Sequence, residues 1–247
     1  MIAAAWLGGC YATITPSNEE LMARPDALPP DAEPVTLDAP PVLSACAPDS
    51  TLSVCLSFDQ PQLTSPYANE GVLPLGAQHA NVTRTSIEGG GAALFGATST
   101  MAFAPNTQLV NIVAIDAQIR LDAEIAVGAR MGIIDADNTT PGMSLFVYAG
   151  AVAGTHRVRC TVGGPDLFVD TTISLGVFTV LRCTCEAGMV TAYRDGVKLG
   201  ELAGCAPASG TTAGLQIGQN SRAGSSLPPN EPLIGAIGRL RLWTALP

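Results

Sequence analysis

The stretch Val113-Ala114-Ile115-Asp116-Ala117-Gln118-Ile119-Arg120-Leu121-Asp122-Ala123-Glu124-Ile125-Ala126-Val127-Gly128-Ala129 is apolar at every odd position. Asp116, Gln118, Arg120, Asp122 and Glu124 stand at even ones. A period of two is that of a β-strand, whose side chains alternate between two faces. A helix would scatter these charges around its circumference, whereas a sheet keeps them on one wet face and the aliphatics on a dry one. The run exceeds the usual strand of about 5–6 residues, so a bend is expected near Asp122 to Ala126.

Working outward, Phe178 to Glu186, Met189 to Arg194 and Val197 to Leu202 are joined by Ala187-Gly188 and Asp195-Gly196. Asp-Gly between alternating runs signals a type I′ turn, because both central residues need positive φ. Two tight hairpins, and hence a three-stranded antiparallel meander, are expected. The preceding run places His156, Val158, Cys160 and Val162 on one face. Further strands are expected at Leu52 to Asp59, Ala92 to Phe95, Thr100 to Ala104, Met143 to Tyr148, Leu167 to Thr172, Leu215 to Gly218 and Leu233 to Trp243. Short strands between Gly, Pro, Asn and Ser turns, with no amphipathic helical window, argue for an all-β, two-sheet antiparallel sandwich.

The N-terminal residues differ in kind. Met1 to Cys10 is apolar and closes on Leu7-Gly8-Gly9-Cys10, which resembles the bacterial lipobox. That resemblance implies a lipoprotein signal peptide over 1–9, truncated at its basic end, and acylation of Cys10. Residues 11–50 hold eight prolines, seven acids and one base, which accounts for −6 of the formal net charge of −9. Such a composition cannot bury enough apolar surface to offset ordering entropy, so 10–45 is expected to be a disordered, acidic, Pro-rich tether ahead of a domain spanning 46–247.

With Cys10 acylated, six of the seven cysteines remain: Cys46, Cys55, Cys160, Cys183, Cys185 and Cys205. An even number in an exported chain suits three disulfides, although six cysteines allow 15 connectivities. The preferred pairing is Cys46 with Cys55, Cys160 with Cys183 or Cys185 on a neighbouring strand, and the remaining one of those two with Cys205. Zinc is the weaker alternative, because Cys183-Thr184-Cys185 leaves only one residue between the thiols.

Composition removes several classes. Eleven Arg and the single Lys198 against 21 acids leave no basic stripe for nucleic acid. No run approaches the ~20 apolar residues of a spanning helix.

The order of the motifs resembles the LamG-like, concanavalin A-like jelly-roll family of lectin and glucanase folds. The pieces that carry it are Phe58-Asp59, the Gly89 to Pro105 approach and corner, Val113 to Leu121, Tyr193-Arg194-Asp195-Gly196, Leu215-Gln216-Ile217-Gly218, and Gly235-Ala236-Ile237-Gly238-Arg239-Leu240-Arg241-Leu242-Trp243. The match runs from about Thr51 to Pro247. Phe178 stands where the family often has a Trp.

The resemblance implies a jelly-roll sandwich and, for glycosidases of the fold, a Glu-x-Asp-x-x-Glu face. Only Asp122-Ala123-Glu124 comes near this pattern, and Val127 occupies the third position, so no catalysis is expected. Lectin-type members often hold calcium on rim loops, and Asp135, Asp137 and Asn138 form the densest oxygen-ligand cluster here. The functional expectation is a non-catalytic, lipid-anchored recognition module of a bacterial cell envelope, on the outer membrane or surface. It would bind glycan or protein through sandwich rim loops. A structural or adhesive envelope component is the alternative, and a glycoside hydrolase a distant third.

Overall fold

The computed structural model describes residues 46–87, 90–136, 142–207, 213–220 and 231–247. The expected signal peptide, Cys10 and the expected tether, together with Asp137 and Asn138, lie outside the described residues. The strands run β1 Leu52–Leu56, β2 Gln78–Ala80, β3 Thr83–Ile87, β4 Gly90–Phe95, β5 Thr100–Asn106, β6 Ala114–Leu121, β7 Arg130–Asp135 and β8 Met143–Ala149. They continue as β9 His156–Val162, β10 Leu167–Thr171, β11 Thr179–Glu186, β12 Met189–Arg194, β13 Val197–Ala203, β14 Ala213–Ile217 and β15 Gly235–Trp243. Among the described residues the sole helical element is a 3-10 turn at Thr107–Leu109, and no helix is long and apolar enough to cross a membrane.

All pairings are antiparallel and fall into two sheets. The first has the order β13-β12-β11-β6-β15-β4-β3, with β1 also paired to β15; the second is β10-β9-β8-β7-β14-β5-β2. This is a two-sheet antiparallel sandwich of the jelly-roll kind. Its organising strand is β6, where Ile115, Ala117, Ile119 and Leu121 are fully buried, facing a second-sheet layer that includes Ile133, Leu145 and Val147. Each large aliphatic buried in this way contributes about 1.5–3 kcal/mol of transfer free energy.

The alternating run that announces the fold is divided where the bend was expected, from Asp122 onward. β6 ends at Leu121, a loop occupies 122–129, and β7 starts at Arg130 in the opposite sheet. The chain has to cross the sandwich there, a span of about 10 Å that strand geometry cannot cover in register. Gly128, at φ +79°, makes the turn.

Both hairpin turns have the expected backbone, with Ala187 and Gly188 at φ 49° and 80°, and Asp195 and Gly196 at 50° and 80°. β15 is central because its two halves use different neighbours. Gly235, Ala236 and Ile237 pair with β4 while Leu240 to Trp243 pair with β1, and the whole strand pairs with β6 on its other side.

The cysteines pair as Cys46–Cys55, Cys160–Cys183 and Cys185–Cys205, with Cα separations of 5.8, 5.8 and 5.9 Å. One detail of the sequence reading is corrected. Cys160 on β9 and Cys183 on β11 are not on neighbouring strands; they point inward from opposite sheets, and their bridge crosses the core. Strands β2, β3 and β7 are additions to the sequence reading.

Candidate functional site

The outward face of the second sheet is a lattice of aromatic and planar polar groups. Across β7, β8, β9 and β10 one row reads Arg130, Tyr148, Arg157, Asp170, and the next reads Gly132, Phe146, Arg159, Phe168. Register alone brings these side chains together, since they come from four separate segments. Phe146 is fully buried on this outer face, with the guanidinium of Arg130 at 4.5 Å from its ring centroid and that of Arg159 at 5.3 Å. Tyr148 meets Phe168 edge-on at 5.8 Å, and Phe168 is 47% exposed.

Acids and hydroxyls hold the guanidiniums in place. Arg130 donates to Glu231 and to the Tyr148 hydroxyl, each at 2.6 Å. Arg159 pairs with Asp166 at 3.1 Å, and the Thr161 hydroxyl donates to the same carboxylate. Arg157 donates to both carboxylate oxygens of Asp170, and these bonds hold the Asp170 carboxyl below the usual carboxylate range. The result is an exposed Phe168 and a half-buried Tyr148 beside fixed planar donors and acceptors, a combination that can stack a ring face and hydrogen-bond its edge.

The outward face of the first sheet carries a second polar row: Cys55, Arg241, Asp116, Arg182 and Tyr193. Asp116 is only 4% exposed and accepts from Arg239 at 3.4 Å and Arg241 at 3.1 Å. Arg241 also lies 4.9 Å from the Trp243 ring centroid. Burial and the nearby Arg239 and Arg182 push the Arg241 guanidinium below its usual range, and Asp116 opposes that shift. Trp243 packs with Cys46, Cys55, Leu52 and Ala114, so it belongs to a small outer core that includes the first disulfide. A cavity of about 380 Å³ over this row sets Asp116 and Glu186 against Arg182. Asp116 answers Arg239 and Arg241, whereas the Nε atoms of Arg182, Arg239 and Arg241 have no hydrogen-bond partner among the described residues.

At one end of the sandwich the rim loops are apolar. Val127 in the β6–β7 loop is 95% exposed and Val152 in the β8–β9 loop is 66% exposed. The two loops enclose a cavity of about 440 Å³ that reaches Glu124 and His156. Asp122, the other acid of the Asp122-Ala123-Glu124 segment, accepts two hydrogen bonds from Arg120, at 2.6 and 2.8 Å. It is therefore engaged as a counter-ion, and the pair does not form two free carboxylates facing one substrate.

Of the candidate calcium ligands, Asp135 ends β7 and is fully buried, with its interactions already in place. Among the described residues no three His, Cys, Asp or Glu side chains converge as a metal site. The aromatic–guanidinium lattice was not singled out from the sequence. Its only sequence trace is the alternation Ser144, Phe146, Tyr148 on β8 and Arg157, Arg159, Thr161 on β9, which reads as an unremarkable wet face until the register is known.

No family model matches the chain, and no curated protein matches it. Among solved structures, the chain is similar to domain 4 of AbnA, a GH43 extracellular arabinanase from Geobacillus stearothermophilus, in complex with arabinotriose. That match has a TM-score of 0.56 at 15% identity, covering 78% of this chain and 92% of that one. It is also similar to a Trypanosoma rangeli sialidase, with a TM-score of 0.56 at 15% identity, covering 80% of this chain but only 31% of the sialidase. At such identities the likeness is one of fold, a two-sheet β-sandwich.

Proposed function

We propose that this protein is a non-catalytic glycan-recognition module of a bacterial cell envelope, held to its membrane by an acylated Cys10 and a spacer over 10–45. The observation that carries the glycan reading is the exposed Phe168 against the half-buried Tyr148, beside the Arg157–Asp170 and Arg159–Asp166 pairs. Sugars present apolar C–H faces and equatorial hydroxyls, and this surface offers one partner for each. On this reading the second sheet's face supplies the stacking surface, in addition to the rim loops to which the sequence pointed. A domain of the same fold solved with arabinotriose supports the reading. Engagement of Asp122 by Arg120, together with Val127 at the third position of the carboxylate pattern, supports a role without catalysis.

The test is a glycan array with the purified chain, read with calcium and with chelator because Asp135, Asp137 and Asn138 remain the proposed cation ligands. Phe168→Ala, at an exposed site, is expected to weaken any hit about tenfold, the equivalent of ~1.4 kcal/mol. Blank arrays from a correctly folded protein would favour the structural or adhesive reading. Release of reducing ends from β-glucans would overturn the absence of catalysis. Intact mass of the membrane-extracted protein checks acylation at Cys10.

A further inference from the structure

The rim cavity has a chemistry of its own, separate from the sheet face. Its walls are short aliphatics, Ile125, Val127, Ala149 and Val152, contributed by two loops. Neither loop supplies an aromatic ring to stack a whole sugar, and from Ile125 to Ala129 and from Ala149 to Thr155 the chain carries no charge. Three polar side chains line the cavity, Glu124, His156 and Thr155, and the Thr155 hydroxyl is already engaged by the Val152 backbone, which leaves Glu124 and His156 to a ligand. His156 is 2% exposed, and its Nδ1 accepts from the Ile173 N–H at 3.3 Å. The neutral ring therefore carries its proton on Nε2, and no acceptor for that proton is found among the described residues. Burial pulls the imidazole below its usual range, with Glu124 opposing, so the ring is neutral at physiological pH.

A cavity of about 440 Å³ with apolar walls and two convergent polar groups falls in the size and character range of small-ligand sites. Its complement must bring a small apolar group for the walls, an acceptor for the Nε2–H and a donor for the Glu124 carboxylate. An anion would face Glu124 with no opposing charge. A cation would leave the His156 donor unmet. A bare hydroxyl would leave the aliphatic walls unfilled.

We propose that this cavity binds the acetamido group of an N-acetylated sugar. The methyl packs against Val127 and Val152, the carbonyl oxygen accepts from His156 Nε2, and the amide N–H donates to Glu124. The proposal rests on the glycan reading and names the class of sugar. Ala149 and His156 are one position from Tyr148 and Arg157 along β8 and β9, so the alternation of side chains turns them away from the outer face toward the end of the sandwich.

The test titrates the purified chain with N-acetylglucosamine and N-acetylgalactosamine, with glucosamine and glucose as controls, and follows imidazole nitrogen resonances. The chain has two histidines, so His79 serves as an internal reference. The acetylated sugars are expected to shift His156 alone and the controls to leave it in place. Val152→Asp and Val127→Asp, both at exposed positions, are expected to weaken that binding at least tenfold, whereas Val197→Asp, exposed on β13 of the first sheet, leaves it unchanged. Equal shifts from glucose, or acetylated-sugar binding indifferent to Val152→Asp, would overturn the proposal. If oligosaccharides bind in a Phe168-dependent way without moving His156, this inference falls and the sheet-face reading stands. If no sugar binds at all, both fall.

Discussion

Asp116 carries more structural consequence than its single charge suggests. It is nearly buried on the first sheet's outer face and is the nearest counter-ion of Arg239 and Arg241. Removing one member of such a group leaves the others charged and close together, and this costs more than the intact group contributes. Asp116→Ala is expected to lower stability by about 2–4 kcal/mol, measured by urea unfolding, with Asp116→Asn costing less because it keeps one acceptor.

His156 makes a pH-dependent contribution of the opposite kind. Its folded pKa lies below its unfolded value because burial disfavours the imidazolium. The unfolded chain therefore binds the proton more readily, so the stability is complete above about pH 6.5 and falls as the pH drops through the folded value. Denaturation midpoints measured between pH 7 and 5 should decline, and His156→Phe should flatten that decline before the carboxylates titrate.

Some residue-scale roles depend wholly on packing. The motif Leu215-Gln216-Ile217-Gly218 is readable, but the reason for its glycine is not. Gly218 sits at φ +73°, and an added Cβ would lie 2.3 Å from the Phe95 ring. No local signal names Phe95.

At the scale of elements, legibility tracks sequence separation. The β11–β12–β13 meander is plain in the sequence because each turn joins strands two residues apart, so turn chemistry fixes the register. β2 is three residues long, and β3, Thr-Arg-Thr-Ser-Ile, lies at a sheet edge without an apolar face to alternate. Neither could generate a periodic signal.

The Cys160–Cys183 bridge joins residues 23 apart and pins the two sheets across the core. Replacing both cysteines by alanine is expected to cost about 3 kcal/mol through the freedom restored to the unfolded chain, read as a lower melting midpoint. The Cys46–Cys55 clip closes a shorter loop, of separation 9, at the first strand, and its removal should cost less. A melting series of the two double mutants orders them. Equal losses would argue that the cross-core bridge has no special role.

For the molecule as a whole, the described residues begin at Cys46, and it and the other five bridging cysteines all lie within them. A chain trimmed to start at residue 46 is therefore expected to fold with all three disulfides and a β-type circular dichroism spectrum. Its melting midpoint should lie within about 2 °C of the longer form, because a segment of that acidic, proline-rich composition has little apolar surface to bury. A large loss would show that the segment packs on the sandwich.

The sequence by itself determined the class of fold, the positions of most strands, the two hairpin turns and the presence of an acidic, proline-rich segment ahead of the domain. Those properties follow from periods of two, turn residues and composition, which act over a few residues at a time. Only the tertiary structure decided which sheet each strand joined, that Cys160 meets Cys183 across the core, and that Tyr148, Arg157, Phe168 and Asp170 share one surface. These depend on register between segments far apart in the chain, where a shift of one residue would send every side chain to the other face.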